Sequence, residues 1–149
     1  MTPHAACEDT MFSIAHVTGQ DVGFWMSIDR HISEPELRLK IRDRRGYVIR
    51  DGGTPVGVLR YGLFWDSIPF LNMICFVEEY RGRGFGSLAM AHWENEMRSL
   101  GCKIAMTSTM AEENSQRFYR KLGYKDCGCL VKDIPPLVET MEIFLMKRL

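Results

Sequence analysis

Phe70-Leu71-Asn72-Met73-Ile74-Cys75-Phe76-Val77-Glu78-Glu79-Tyr80-Arg81-Gly82-Arg83-Gly84-Phe85-Gly86-Ser87 is the stretch on which the reading of this chain turns. Its first eight residues are apolar except Asn72, as in a buried strand. Glu78-Glu79-Tyr80 then make a short acidic turn, and Gly82, Gly84 and Gly86 precede a helical pattern. A glycine-rich turn at a helix start presents free backbone N–H groups at the positive end of the helix dipole, and the two together bind phosphate. Without a Cβ, these residues also let the backbone approach a ligand closely and take positive φ. The stretch reads as a phosphate anchor beside a strand along which the rest of the ligand lies.

Two familiar anchors do not match. A P-loop requires Lys-Ser/Thr after its last glycine, and no Lys follows here. The dinucleotide fingerprint Gly-x-Gly-x-x-Gly fails on spacing, because these glycines lie two apart. It also expects an acidic residue closing the next strand, whereas Ile104-Ala105-Met106-Thr107 runs into hydroxyl residues. What remains is Arg/Gln-x-x-Gly-x-Gly/Ala, met by Arg81 to Gly86. Further on, Glu113-Asn114-Ser115-Gln116-Arg117-Phe118-Tyr119-Arg120-Lys121-Leu122-Gly123-Tyr124 carries a short helix. Asn114 suits an N-cap, Phe118 and Leu122 form an i, i+4 apolar pair, and Gly123 suits the left-handed residue that ends a helix.

The two segments resemble signatures of the GNAT superfamily, the acyl-CoA-dependent N-acetyltransferases. The first resembles its pyrophosphate-binding turn, and the second its Asn-x-x-Ala-x-x-Phe/Tyr-Tyr-x-Lys-x-Gly-Phe/Tyr segment. Gln116 is read as standing where that pattern commonly has Ala.

Working outward, 149 residues with 46% hydrophobic content suffice for one good core, so residues 1–149 are read as a single domain with a loose tail over 1–10, an N-acetyltransferase domain as the resemblance implies. Lys and Arg balance Asp and Glu at 19 each, which argues against a nucleic-acid-binding module. No apolar run approaches the ~18–20 residues of a membrane span, and no basic-then-apolar leader opens the chain, so a cytoplasmic protein is expected. Cys7, Cys75, Cys102, Cys127 and Cys129 read as reduced thiols. Cys127-Gly128-Cys129 lacks a second ligand pair, so no metal is expected.

Residues 12–17 alternate as a strand, and a helix follows Gly19-Gln20-Asp21 through Trp25 and Met26. Residues 34–44 carry Leu37 and Ile41 on one face of an amphipathic helix. Asp51-Gly52-Gly53-Thr54 turns a hairpin between residues 46–50 and 55–64. After the glycine turn a long helix runs to Gly101, with Leu88, Ala91, Trp93 and Met97 expected inward. Strands over 103–109, 124–131 and 137–146 complete the chain, the last two pairing around Asp133-Ile134-Pro135-Pro136. The fold class is α+β: a mixed, mostly antiparallel sheet of about seven strands with helices on both faces, which the resemblance also implies.

The resemblance implies acetyl-CoA as co-substrate. The backbone of Ile74, Cys75 and Phe76 would pair with the pantetheine amides as an added strand does. The N–H groups of Gly82, Arg83, Gly84, Phe85, Gly86 and Ser87 would hold the pyrophosphate, Arg81 and Arg83 would add charge, and Asn114 would touch the cofactor arm. Tyr119 would protonate the leaving thiolate while an amine attacks directly, its pKa of about 10 keeping it protonated at neutral pH. The N–H of Phe76 would polarise the carbonyl.

The general base stays open among Glu78, Glu79, Asp66 and His31; Asn72 cannot act as one. Cys75 in a strand reads as an inert hydrophobe rather than an acetyl carrier. Phe24, Trp25, Phe64 and Trp65 are candidates for the acceptor pocket or the core. Few carboxylates near the site argue mildly against polycations, leaving a small amine, an amino acid or a protein amino group. The alternative is an acyl-CoA-binding sensor or partner module without turnover. Self-association would use the C-terminal strands or an exposed sheet edge, a homodimer among the possibilities.

Overall fold

A computed structural model describes residues 11–149, so the tail expected over 1–10, with Cys7, lies outside the described residues. One seven-stranded sheet runs in the order β1-β2-β3-β4-β5-β7-β6. Its strands are β1 (Phe12–His16), β2 (Gly46–Asp51), β3 (Thr54–Phe64), β4 (Ile68–Phe76), β5 (Ile104–Met110), β6 (Lys125–Ile134) and β7 (Leu137–Arg148). The helices are α1 (Val22–Ile28), α2 (Glu34–Asp43), α3 (Phe85–Ser99) and α4 (Ser115–Lys121). Only β4 and β5 pair in parallel; every other neighbouring pair is antiparallel.

Local chemistry sets these boundaries. The Ser33 side chain accepts from Glu36 N–H at the start of α2, and Arg44 ends that helix in the left-handed region at φ 57°. Gly52 and Gly53, both at positive φ, turn β2 into β3 as Asp-Gly-Gly-Thr foretold.

Helices cover both faces of the sheet. Trp25 of α1 and Leu37 of α2 are fully buried against Val48 and Val58 on one face. On the other, Phe85, Ala89, Met90, Trp93 and Met97 of α3 pack with Tyr47, Leu59, Leu71, Tyr119 and Leu145. The inward face of α3 thus differs from the sequence expectation. Trp93 and Met97 are buried, but Leu88 and Ala91 are exposed. The row Phe85, Ala89, Trp93, Met97 is a strict i, i+4 ridge, and Leu88 falls outside it.

The sheet is interrupted where β4 passes its two neighbours. Against β3, Arg60 pairs with Met73 but Tyr61 pairs with Leu71, so Asn72 bulges out of the ladder. Lys40 of α2 donates to the Tyr61 carbonyl beside that bulge at 2.6 Å. Against β5, β4 pairs only at Phe70–Met106 and Leu71–Thr107. The Thr107 hydroxyl donates to the Leu71 carbonyl at 3.2 Å on the last paired rung. Beyond it the two strands separate, leaving an opening in the middle of the sheet.

Candidate active site

Two clefts flank this opening. One, of about 420 Å³, lies between the end of β4, the glycine turn and α4, with Ile74, Phe76, Gly82, Gly84, Phe118 and Tyr119 in its wall. The other, of about 380 Å³, opens toward β5, β6, β7 and the α1–α2 connection, and His31, Asn72, Glu113, Lys132, Glu139 and Glu142 face it. Ile74, Ser115 and Tyr119 border both.

The first cleft is built from main chain. Gly84 is the N-cap of α3 with φ 84°, and no side chain caps the helix there. The first N–H groups of a helix have no partner inside it, so those opening α3 face the cleft without a competing side chain. A Cβ at Gly82 or Gly84 would meet no atom within 4 Å, so it would project into the cleft rather than into protein. Gly86 differs: a Cβ there would stand 3.3 Å from the Phe118 ring, so this glycine lets α4 close against α3. These features fit a phosphate-bearing ligand laid against backbone.

The expected site residues divide accordingly. Ile74, Phe76, Arg81, Gly82, Gly84, Phe85, Gly86 and Ser87 line the first cleft. Arg83 does not; its guanidinium lies over the Tyr80 ring at 4.7 Å. The Cys75 side chain points to the opposite face, packing with the α1–α2 core and donating to the Ile28 carbonyl at 3.9 Å. Burial, then the Asp29 charge, push its thiol up to about 11, so it is neutral at ordinary pH and unsuited to carry an acyl group.

Asn114 holds the N-cap position of α4 but makes no capping hydrogen bond, and Ser115 lines the cleft in its place. Counted back from Tyr119, the family pattern puts its Ala on Ser115 and its Asn on Glu112. Gln116, read as the Ala position, is thus one residue out of register, and Glu112 rather than an Asn stands at the Asn position. Gln116 instead ties the preceding turn, donating to the carbonyls of Ala111 at 2.8 Å and Glu113 at 3.0 Å.

Tyr119 stands where the clefts meet, 7% exposed. Burial pushes its phenol up to about 12; Thr107 pulls the other way and the Glu113 charge adds to the rise. It therefore stays protonated across the neutral range.

The second cleft is built from side chains on separate elements. Lys132 of β6, its side chain only 8% exposed, donates to Glu139 at 3.0 Å and Glu142 at 3.1 Å. Ser108 of β5 donates to the other Glu142 oxygen at 2.8 Å. Glu113 accepts from the Thr109 hydroxyl at 3.1 Å and the Ser115 hydroxyl at 3.2 Å. His31 is placed by a buried network beneath it. Asp29, 1% exposed, accepts from Arg60 at 2.7 Å, the Trp25 indole at 3.1 Å and the His31 backbone N–H at 3.1 Å.

Several sequence candidates lie elsewhere. Glu78, Glu79 and Asp66 border neither cleft. Trp25 is core, and Phe24 packs beside it. Phe64 and Trp65, with ring centroids 4.7 Å apart, face a separate depression with Phe144. The premise of few carboxylates is overturned, since Glu113, Glu139 and Glu142 all face the second cleft. Of these, Glu142 alternates with Phe144 and Met146 along β7, a weak signal that it shares their side of the sheet.

Among the described residues no group of three His, Cys, Asp or Glu side chains is placed to hold a metal. No helix among them is long and apolar enough to cross a membrane.

Comparison with known proteins bears on the family and the fold. The model of the acetyltransferase (GNAT) family matches residues 15–124. The structure of Ard1 from Thermoplasma volcanium superposes with a TM-score of 0.81 at 14% identity, over 93% of this chain and 97% of that one. The ribosomal-protein-S18-alanine N-acetyltransferase from Escherichia coli gives 0.79 at 16% identity, over 93% and 94%. A GNAT family acetyltransferase from Elizabethkingia anophelis with acetyl-CoA bound gives 0.75 at 15%, over 93% and 98%. At these identities the likeness shows the shared fold. No curated protein matches the sequence.

Proposed function

Since this chain belongs to the GNAT acetyltransferase family, we propose that it transfers the acetyl group of acetyl-CoA directly to a primary amine, with Tyr119 as the general acid. The observation that carries this reading is a buried, protonated phenol at the junction of a main-chain cleft and an acidic side-chain cleft.

The cofactor side would be the first cleft. The N–H groups from Gly82 to Ser87 would receive the pyrophosphate and Arg81 would add charge, with the free edge of β4 at Ile74, Cys75 and Phe76 available to the pantetheine amides. Ser115 replaces Asn114 as the α4 residue facing that ligand. Bound there, acetyl-CoA supplies an activated acyl carbon and a thiolate leaving group. Tyr119 then holds a proton for the thiolate.

The second cleft would admit the acceptor. Glu113, Glu139 and Glu142 outnumber Lys132, so the cleft favours a cationic acceptor, whether a small amine or a protein amino group. The acetyl-Cys route is disfavoured by the direction and neutrality of Cys75.

Calorimetric titration with acetyl-CoA, with ATP and NAD as controls, tests the cofactor. Micromolar binding confined to acetyl-CoA is the expected result; no binding by the folded protein would overturn the reading. Thiol release with a panel of primary amines then separates an enzyme from a binding module.

A further inference from the structure

The transfer proposed above leaves one proton without a destination. Near neutral pH a primary amine is an ammonium ion, and its nitrogen has no lone pair for attack. We infer that Glu113, on the turn between β5 and α4, takes that proton and is the general base of the reaction. This rests on the acetyltransferase reading.

The three carboxylates of the acceptor cleft are not equivalent. Glu139 and Glu142 both accept from Lys132. Each is thus already matched by the ammonium of a lysine whose side chain is 8% exposed, which leaves Glu113 as the carboxylate of this cleft without a cationic partner among the described residues. The hydrogen bonds Glu113 accepts come from the neutral hydroxyls of Thr109 and Ser115. These hydroxyls orient the carboxylate without neutralising it, and the 2.5 Å contact between them joins the end of β5 to the start of α4. Ser115 borders both clefts, and the Glu113 charge reaches the Tyr119 phenol. Glu113 and Tyr119 therefore both border the cleft that an acceptor nitrogen would enter. Glu113 is also exposed, so a proton it takes can leave to water.

The protons then balance. One ammonium N–H bond breaks and its proton passes to a Glu113 oxygen. The freed lone pair forms the C–N bond to the acetyl carbon as the C–S bond breaks, and the thiolate takes the Tyr119 proton. The surplus proton on the new nitrogen returns to the Tyr119 oxygen, and Glu113 releases its own to water. Amine cation and thioester become amide, thiol and one proton in solution.

The test uses the full chain with acetyl-CoA and glycinamide as the amine, following thiol release from pH 6 to 10. Glu113→Gln retains the shape and removes the base. The expected result is a loss of about 100-fold in kcat/KM at pH 7 that shrinks as the pH rises and the amine arrives deprotonated. Affinity for acetyl-CoA stays within about twofold, the ordinary scatter of a surface substitution. An unchanged rate in Glu113→Gln, or a loss equal at every pH as a structural role would give, overturns the assignment. A wild-type protein that binds acetyl-CoA but releases no thiol with any primary amine removes the acetyltransferase reading and Glu113 with it. An active wild type beside an equally active Glu113→Gln removes Glu113 alone.

Discussion

The two clefts that meet at Tyr119 are built by different means. The first presents backbone: the α3 N-terminus, positive-φ glycines, and a β4 edge freed by its separation from β5. The second presents side chains from the α1–α2 connection, β4, β5, β6 and β7, held by hydrogen bonds between those elements. Main-chain recognition needs only a local conformation, so a few consecutive residues encode it. Side-chain recognition needs distant segments brought together, and each contributes a residue that looks ordinary alone. A site of the first kind suits a ligand that never changes; the second kind can be rebuilt for a new acceptor with the cofactor side untouched.

The largest test of the division is the residue both clefts share. Tyr119→Phe should lower kcat about 1,000-fold, or ~4 kcal/mol in the barrier, while acetyl-CoA affinity changes less than about threefold. Isothermal titration beside steady-state rates would show it, and a parallel fall in affinity would mean that Tyr119 serves the cofactor wall alone.

Next comes the support of the acceptor side. Asp29→Asn leaves Arg60 unpaired in a site where the two are 1% and 9% exposed, and should cost about 3 kcal/mol in urea unfolding at pH 7. The effect has a defined pH sense. Burial alone would raise the Asp29 carboxyl, but the hydrogen bond and charge of Arg60, with the His31 N–H and the Trp25 indole, hold it below the ordinary carboxylate range. A carboxyl depressed in the fold contributes stability above its unfolded value, and that stability is lost as the pH falls through the folded one. The gap between wild type and variant should therefore be full at pH 7 and narrow below about pH 4. A gap that widened on acidification would remove the ion pair from this account.

The cofactor side has its own test in Gly84→Val. The branched residue is strained at φ 84° and places atoms where the ligand backbone contact is expected. Losing two N–H contacts to a charged group would weaken acetyl-CoA binding about 100-fold, or ~2.7 kcal/mol. Unchanged affinity would mean that this turn anchors nothing.

How much could be read in advance follows from the same division. The residue 70–87 stretch located β4, the glycine turn and α3 because strand, turn and cap are each local. Gly123 ends α4 at φ 96° for the same reason. The α3 core face was misjudged at Leu88 and Ala91, because four apolar choices fitted a helix and only the sheet beneath decides among them. Lys132, Glu139 and Glu142 were not singled out, since β6–β7 register brings them together and no spacing announces it. Asn114 reads as the cap of α4 and, by resemblance, as a contact of the cofactor arm, yet its side chain makes no capping bond and its neighbour Ser115 lines the cleft.

The smallest effect asks whether the second cleft selects its acceptor by charge. Lys132→Met would free both Glu139 and Glu142 from their cation while keeping most of the length of the side chain. Glu139 is 54% exposed, so water and salt screen much of what is released. The ratio of kcat/KM for a dicationic over a monocationic amine should rise about two- to fivefold in dilute buffer and fall back in 0.5 M salt, as about one screened surface charge allows. Acetyl-CoA affinity should stay put, because none of these residues borders the first cleft. A ratio that does not move, or moves equally at high salt, would mean that Lys132 braces the β6–β7 hairpin and that acceptor choice lies with the shape of the cleft.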